Sequence, residues 1–182
     1  MNYKIVSGYT KNTPYEKEIN NLRISLKQFG FTDEHLVPFE NKGTWEKNCQ
    51  YKAYIIKEKL KQLNTPVVWL DADAVLKKSP DIFCQINEDL GLCFYRQELM
   101  SGTLFFKPTE NNFKLLDEWI KLNNENPQKW DQKVLQQIVN NWKINYYKLP
   151  LSYCKIDYIK TNEIVIGQNQ ASRRFKKIIN KK

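Results

Sequence analysis

At 182 residues the chain suits one domain, long enough to bury about two-thirds of its unfolded surface. A hydrophobic share of 41%, with 13% aromatic residues, excludes a largely disordered protein. The formal net charge of +9 favours anionic partners, whether phosphorylated small molecules, acidic lipid or nucleic acid, without choosing among them.

The opening MNYKIVSGYT has a short apolar strand from Tyr3 to Ser7 and no long apolar stretch of a secretory leader, which predicts a cytoplasmic protein. A helix follows. Thr13 can cap it, Pro14 suits its first turn and Glu16 completes a capping box; Tyr15, Ile19, Leu22, Leu26 and Phe29 fall on one face before Gly30. His35 to Phe39 reads as a second strand. A second helix spans about Trp45 to Leu63, with Cys49, Ala53, Ile56, Leu60 and Leu63 as its buried stripe, and Thr65-Pro66 breaks it. Val67-Val68-Trp69-Leu70 is an unbroken apolar run, as in a strand covered on both faces. Further strands are predicted at Gly91 to Tyr95, Thr103 to Phe106 and Ile164 to Ile166. Helices are predicted at Asn112 to Leu122 and Lys129 to Trp142, the second turning Val134, Leu135, Ile138, Val139 and Trp142 inward. Strand–helix–strand–helix–strand is the signature of a layered α/β domain. No stretch is long and apolar enough to span a bilayer.

Of the four cysteines none forms a C-x-x-C pair, and His35 is the single histidine, so a Cys/His zinc site is disfavoured. Cys49, Cys84 and Cys93 lie in apolar patterns that predict buried free thiols in a reducing compartment. From Ala171 to Lys182 the chain carries six basic residues and no acidic one. This basic tail, with Phe175, Ile178 and Ile179 among its charges, suits either a surface helix on anionic lipid at the inner face of a membrane or docking on its own domain.

The chemistry concentrates after the central apolar run, in Asp71-Ala72-Asp73. Ligands of open α/β sheets bind beyond the carboxyl ends of strands. Two carboxylates at such a place are costly unless a positive charge joins them, and oxygen ligands suit Mg²⁺ or Mn²⁺. In an extended stretch, residues 71 and 73 point to the same side and reach one ion together.

Trp69-Leu70-Asp71-Ala72-Asp73-Ala74-Val75 resembles the D-x-D region of the GT-A-fold nucleotide-diphosphosugar transferases, closest to the group that contains glycogenin and bacterial lipopolysaccharide galactosyltransferases. Other pieces fall in the family's order. Ser7-Gly8-Tyr9-Thr10 resembles the nucleotide-base pocket, and the stretch from Trp45 to Lys52 resembles the helix that leans a basic residue over the donor. Ser101-Gly102-Thr103-Leu104-Phe105-Phe106 resembles the strand beside the sugar, and Trp130-Asp131-Gln132 the start of a helix near the reacting sugar. The resemblance implies one GT-A-like (Rossmann-like) domain over residues 1–170, with a mainly parallel central sheet and helices on both faces, followed by the tail 171–182. It implies a metal-dependent glycosyltransferase that moves a sugar from a nucleoside-diphosphate sugar, UDP-linked by family expectation, to a hydroxyl on a glycan, lipid or protein.

Carried over residue by residue, Asp71 and Asp73 would hold Mn²⁺ or Mg²⁺. Ser7, Tyr9, Thr10, Asn48, Lys52, Ala72, Ser101 and Gly102 would contact the donor with them. Asp131 and Gln132 would orient the reacting sugar or the acceptor. The family's late histidine ligand is replaced here by Gly167-Gln168-Asn169-Gln170, and Gln168 would supply an amide oxygen in its stead. That change leaves open a degenerate transferase that binds a donor without turnover. Val67 to Leu76 also fits the first motif of haloacid-dehalogenase-like phosphatases, but their downstream acidic pair is missing. Charge alone would allow a nucleic-acid-binding module. No helix-turn-helix, RNA-recognition or zinc signature accompanies it, and no nucleic acid partner is expected.

Overall fold

The computed structural model describes residues 2–180. Eight strands and five helices follow in the order β1 (Lys4–Thr10), α1 (Tyr15–Gln28), β2 (His35–Phe39), α2 (Trp45–Leu63), β3 (Val67–Leu70), β4 (Ala74–Leu76), β5 (Leu90–Tyr95), β6 (Glu98–Phe106), α3 (Glu110–Glu125), α4 (Asp131–Trp142), β7 (Tyr147–Leu149), β8 (Ile166–Gln168) and α5 (Ala171–Ile179). Six strands form one sheet in the order β2-β1-β3-β6-β5-β7, while β4 and β8 pair separately. Only β6 runs against the others in the large sheet, through antiparallel ladders with β3 and β5. The sheet is therefore mainly parallel, as the strand–helix alternation predicts.

Consecutive strand residues face opposite sides of a sheet, and both sides here are covered. Ile5, Val68, Leu70 and Phe105 face a core shared with Ile19, Leu22 and Leu26 of α1 and with the β4/β8 ribbon. Val6, Val67, Trp69, Leu104 and Phe106 face a second core built on α2, α3 and α4. Burial on both faces is the reason that residues 67–70 carry no polar alternation.

The helix ends follow local chemistry with small departures. Thr44 Oγ1 accepts from the Lys47 amide at the start of α2, and Asn64 closes that helix in the left-handed conformation before Pro66. At α1 the expected capping box forms one residue out of register: Glu16 accepts from the Asn12 amide, and Thr13 Oγ1 from that of Tyr15. Trp142 is not inward. It occupies the last turn of α4 and is 47% exposed, lining a second cleft with Asn111 and Ile144. Cys84 is exposed rather than buried, because its apolar run forms a single 3₁₀ turn with only Phe83 pointing inward. The last strand begins at Ile166, two residues later than predicted, and Ile164 is exposed.

The basic tail is a helix laid on the domain. Ala171 and Ile179 are fully buried, Phe175 meets the Tyr15 ring edge-on, Arg174 pairs with Glu18 and Lys176 with Glu46. Lys181 and Lys182 lie outside the described residues.

Candidate active site

The carboxyl ends of β1, β3 and β5 open into a cleft of about 490 Å³. Its floor is the segment after β3. Residues 71–74 form a turn in which the Ala74 amide donates to the Asp71 carbonyl at 2.9 Å, so the two aspartates do not share the extended stretch assumed from sequence. Turn geometry still brings both to the cleft but gives them different surroundings. Asp71 Oδ1 accepts from Trp69 Nε1 at 2.8 Å and pairs with Lys52 Nζ at 2.9 Å. Asp73 Oδ2 accepts from the Ala171 amide at 2.6 Å, at the N-terminus of α5, where a carboxylate meets the helix's exposed N–H groups.

Lys52 is the hub of the floor. It is 5% exposed, and its ammonium also reaches Asp131 Oδ2 at 3.1 Å and both the carbonyl and the hydroxyl of Ser101 at 3.0 Å. Burial alone would lower its pKa; the Asp131 and Asp71 charges outweigh that, and the net shift is upward, so Lys52 stays charged. Ser101 also donates from its hydroxyl to Asp131 Oδ2 and from its amide to Gln132 Oε1. Thus α2, β3, β6 and the start of α4 are tied together by one buried charge cluster.

Among the described residues Asp73 has no such partner. Burial, then the neighbouring Asp71 charge, pushes its carboxyl up to about 6. Beside it, Gln168 is held by register, because β8 pairs Gln168 with Ala74. Its Nε2 donates to the Gly102 carbonyl and to Thr103 Oγ1, both at 3.1 Å, which leaves Oε1 buried without a hydrogen-bond partner. A Cβ at Gly102 would stand 2.9 Å from Gln168 Cδ, so only glycine leaves room for this amide.

Every sequence-predicted site residue except Ser7 lines the cleft. Tyr9 and Thr10 stand at the β1 end, and Asn48, besides lining the wall, ties down residues 41–42 through both ends of its amide. Ser7 is fully buried with its hydroxyl unpaired: it shares the Tyr9 face of β1 but sits two residues further from the strand's carboxyl end, below the residues 8–10 that reach the cleft. Sequence reasoning missed the aromatic lining, Tyr15, Trp45, Trp130, Tyr95 and Tyr158, along with Gln170. Trp45 and Trp130 sat inside the quoted motifs; nothing local marked Tyr158.

An all-oxygen set of two carboxylates and one amide carbonyl suits a hard divalent cation, and the unpartnered Gln168 Oε1 beside Asp73 fits that role. Among the described residues no three His, Cys, Asp or Glu side chains converge as a metal cluster, so such a site would depend on the neutral amide.

Comparison with known proteins agrees with this architecture. A glycosyltransferase involved in glycosylation of the major capsid of PBCV-1 superposes with a TM-score of 0.69 at 15% identity, over 99% of both chains. Mouse xyloside xylosyltransferase 1, in its apo form, superposes with a TM-score of 0.63 at 9% identity, over 94% of this chain and 99% of that one. No curated protein matches in sequence. Residues 38–182 match the nucleotide-diphospho-sugar transferase family. The chain therefore belongs to the nucleotide-diphospho-sugar transferases, and is an enzyme that transfers a sugar from an activated donor.

Proposed function

We propose that the cleft binds a UDP-linked sugar with Mn²⁺ or Mg²⁺ and passes the sugar to a hydroxyl acceptor. The observation that carries this reading is the uncompensated floor: Asp73 is buried beside Asp71 with its carboxyl raised to about 6, and the Gln168 carbonyl next to it lacks a partner. A cation held by Asp71, Asp73 and Gln168 relieves both costs at once and adds the positive charge that a diphosphate needs. When bound, the metal stabilises the negative charge that grows on the departing nucleoside diphosphate.

The remaining roles belong to the chain's own groups. Tyr9 offers a ring face for the base at the β1 end, and Thr10 a hydroxyl. Asn48, Ala72, Ser101 and Gly102 shape the wall around the diphosphate and sugar. Lys52 is saturated by Asp71, Asp131 and Ser101, so its part is to fix those groups rather than to swing onto the donor. Asp131 and Gln132, anchored through Ser101, orient the transferred sugar.

Thermal-shift and calorimetric titration with a panel of nucleotide sugars, with and without Mn²⁺, tests this reading. A UDP-sugar that stabilises the protein only when metal is present is the expected result. Equal stabilisation by all nucleotides, or none by any donor with metal, would sink it.

A further inference from the structure

We propose that the end of the cleft at β5 is an acceptor subsite for an anionic saccharide, a sugar bearing a carboxylate or a phosphate. The acceptor role rests on the donor reading above, since a donor lying over β1 and β3 leaves the β5 end free. β6 separates β3 from β5, so that end lies three strand spacings, about 14 Å, from β1.

Two tyrosines make a corner there. The Tyr95 and Tyr158 rings sit 5.8 Å apart at 54°, and Tyr158 is 57% exposed although it lines the cleft. The apolar C–H face of a sugar ring stacks on such ring faces, while the phenol hydroxyls stay wet.

An arginine lies against each ring. The Arg173 guanidinium is 5.7 Å from the Tyr158 ring centre and that of Arg96 is 5.2 Å from Tyr95. Among the described residues, no carboxylate lies within ion-pair distance of either arginine. The acid beside them, Glu98, is taken by Lys133 at 2.9 Å.

Two other cations of α5 show the contrast. Lys176 lies between the Trp45 and Trp130 rings but is neutralised by Glu46, and Arg174 is held by Glu18. Those two cations are spoken for, whereas the forks of Arg96 and Arg173 are open to an incoming carboxylate or phosphate.

The backbone supports the assignment. Tyr95 and Glu98 pair across a two-residue hairpin loop, Arg96-Gln97, in which both residues have positive φ (49° and 68°). Such a loop selects Asn-Gly or Asp-Gly; a long cationic side chain there is tolerated at a local cost and sets Arg96 beside Tyr95.

The test uses the full chain and direct binding, read by saturation-transfer NMR, of methyl β-glucuronide, glucose 6-phosphate, methyl β-glucoside and inorganic phosphate. At least one charged sugar is expected to bind about tenfold or more tightly than the neutral glucoside, and the two charged probes distinguish carboxylate from phosphate. The double variant R96N/Q97G relaxes the turn, so it folds at least as well as wild type, and it should erase most of that preference while UDP binding with Mn²⁺ is unchanged. Arg173→Gln should act in the same direction. Equal binding of the charged and neutral sugars would overturn the proposal. So would inorganic phosphate binding as well as glucose 6-phosphate, or an Arg173→Gln effect confined to UDP. A protein that discriminates the sugars but binds no nucleotide would retain the anion site and lose the donor reading instead.

Discussion

Lys52 and Asp73 sit on one cleft floor at nearly equal burial, 5% and 9% exposed, yet burial has opposite consequences for them. Lys52 meets two carboxylates and a serine, so its charge is kept. Asp73 meets one backbone amide and a like charge, so its proton is held tightly. The first is a finished structural cluster. The second is a charge waiting for a ligand, and the difference separates the part of the floor that holds the enzyme together from the part that binds.

Breaking the finished cluster should have the largest effect. Lys52→Met leaves Asp131, 4% exposed, without its cation, and removing one partner of a buried pair typically costs about 3–5 kcal/mol. Urea unfolding at neutral pH should show a loss of that size; a change below about 1 kcal/mol would mean that water reaches Asp131 and the cluster is not truly buried.

Neutralising the unfinished charge should do the reverse. A carboxyl raised from 3.8 to about 6 binds its proton more tightly in the folded chain, so the ionised form penalises folding. That penalty is complete above about pH 6, shrinks as pH falls through 6, and is gone below 3.8. Asp73→Asn keeps an oxygen to accept from Ala171 and removes the penalty. With a chelator present the variant should be about 2–3 kcal/mol more stable than wild type at pH 8, and the gap should close near pH 4. Added Mn²⁺ and UDP should stabilise wild type only. Equal stability of the two proteins at pH 8 would show that Asp73 already has its counter-charge.

How much of this was legible in the sequence follows the same division. Asp71 and Asp73 stood out because an unbroken apolar run ended on them, and the helices α1 to α4 were written in 3.6-residue spacing. The electrostatic state of either aspartate was not legible, because it depends on Asp131, sixty residues later, and on Ala171, a hundred residues later. β4 escaped notice since three residues carry no period, and it is its pairing with β8, itself expected two residues early, that fixes Gln168 beside the acidic turn. The turn over Arg96-Gln97 was invisible for the opposite reason: its residues contradict the usual turn chemistry. The tail's composition allowed either a lipid surface or docking on its own domain, and its spacing of Ala171, Phe175 and Ile179 one turn apart is that of the docked helix.

Gly102 lets the comparison be sharpened without touching a charge. Gly102→Ala drives a Cβ to 2.9 Å from Gln168 Cδ, which must then swing away from Gly102 and Thr103. Because the displaced atoms are the flexible end of a side chain, the stability cost should be modest, about 1–2 kcal/mol. Metal-dependent donor binding should suffer more than stability does, as the Gln168 carbonyl leaves its place. If calorimetry shows the variant binding UDP and Mn²⁺ as wild type does, Gln168 is a packing residue and no ligand.

The smallest effect is expected at the rim, where the Lys176–Glu46 pair joins α5 to α2. Burial opposes ionisation of Glu46, but the hydrogen bond and charge of Lys176 prevail and hold its carboxyl below the usual range. A depressed carboxylate stabilises the fold above its unfolded pKa of about 4.5, and this contribution fades as pH falls below that value. Glu46→Gln should therefore cost under about 1 kcal/mol at pH 7, the range of partly exposed pairs, and nothing near pH 3. The loss should also shrink in high salt, unlike the Lys52→Met loss, which buried charges shield from screening. Denaturation of both variants at low and high ionic strength checks the difference. A salt-insensitive Glu46→Gln effect would mean that α5 seals the cleft rim from water and belongs with the buried cluster.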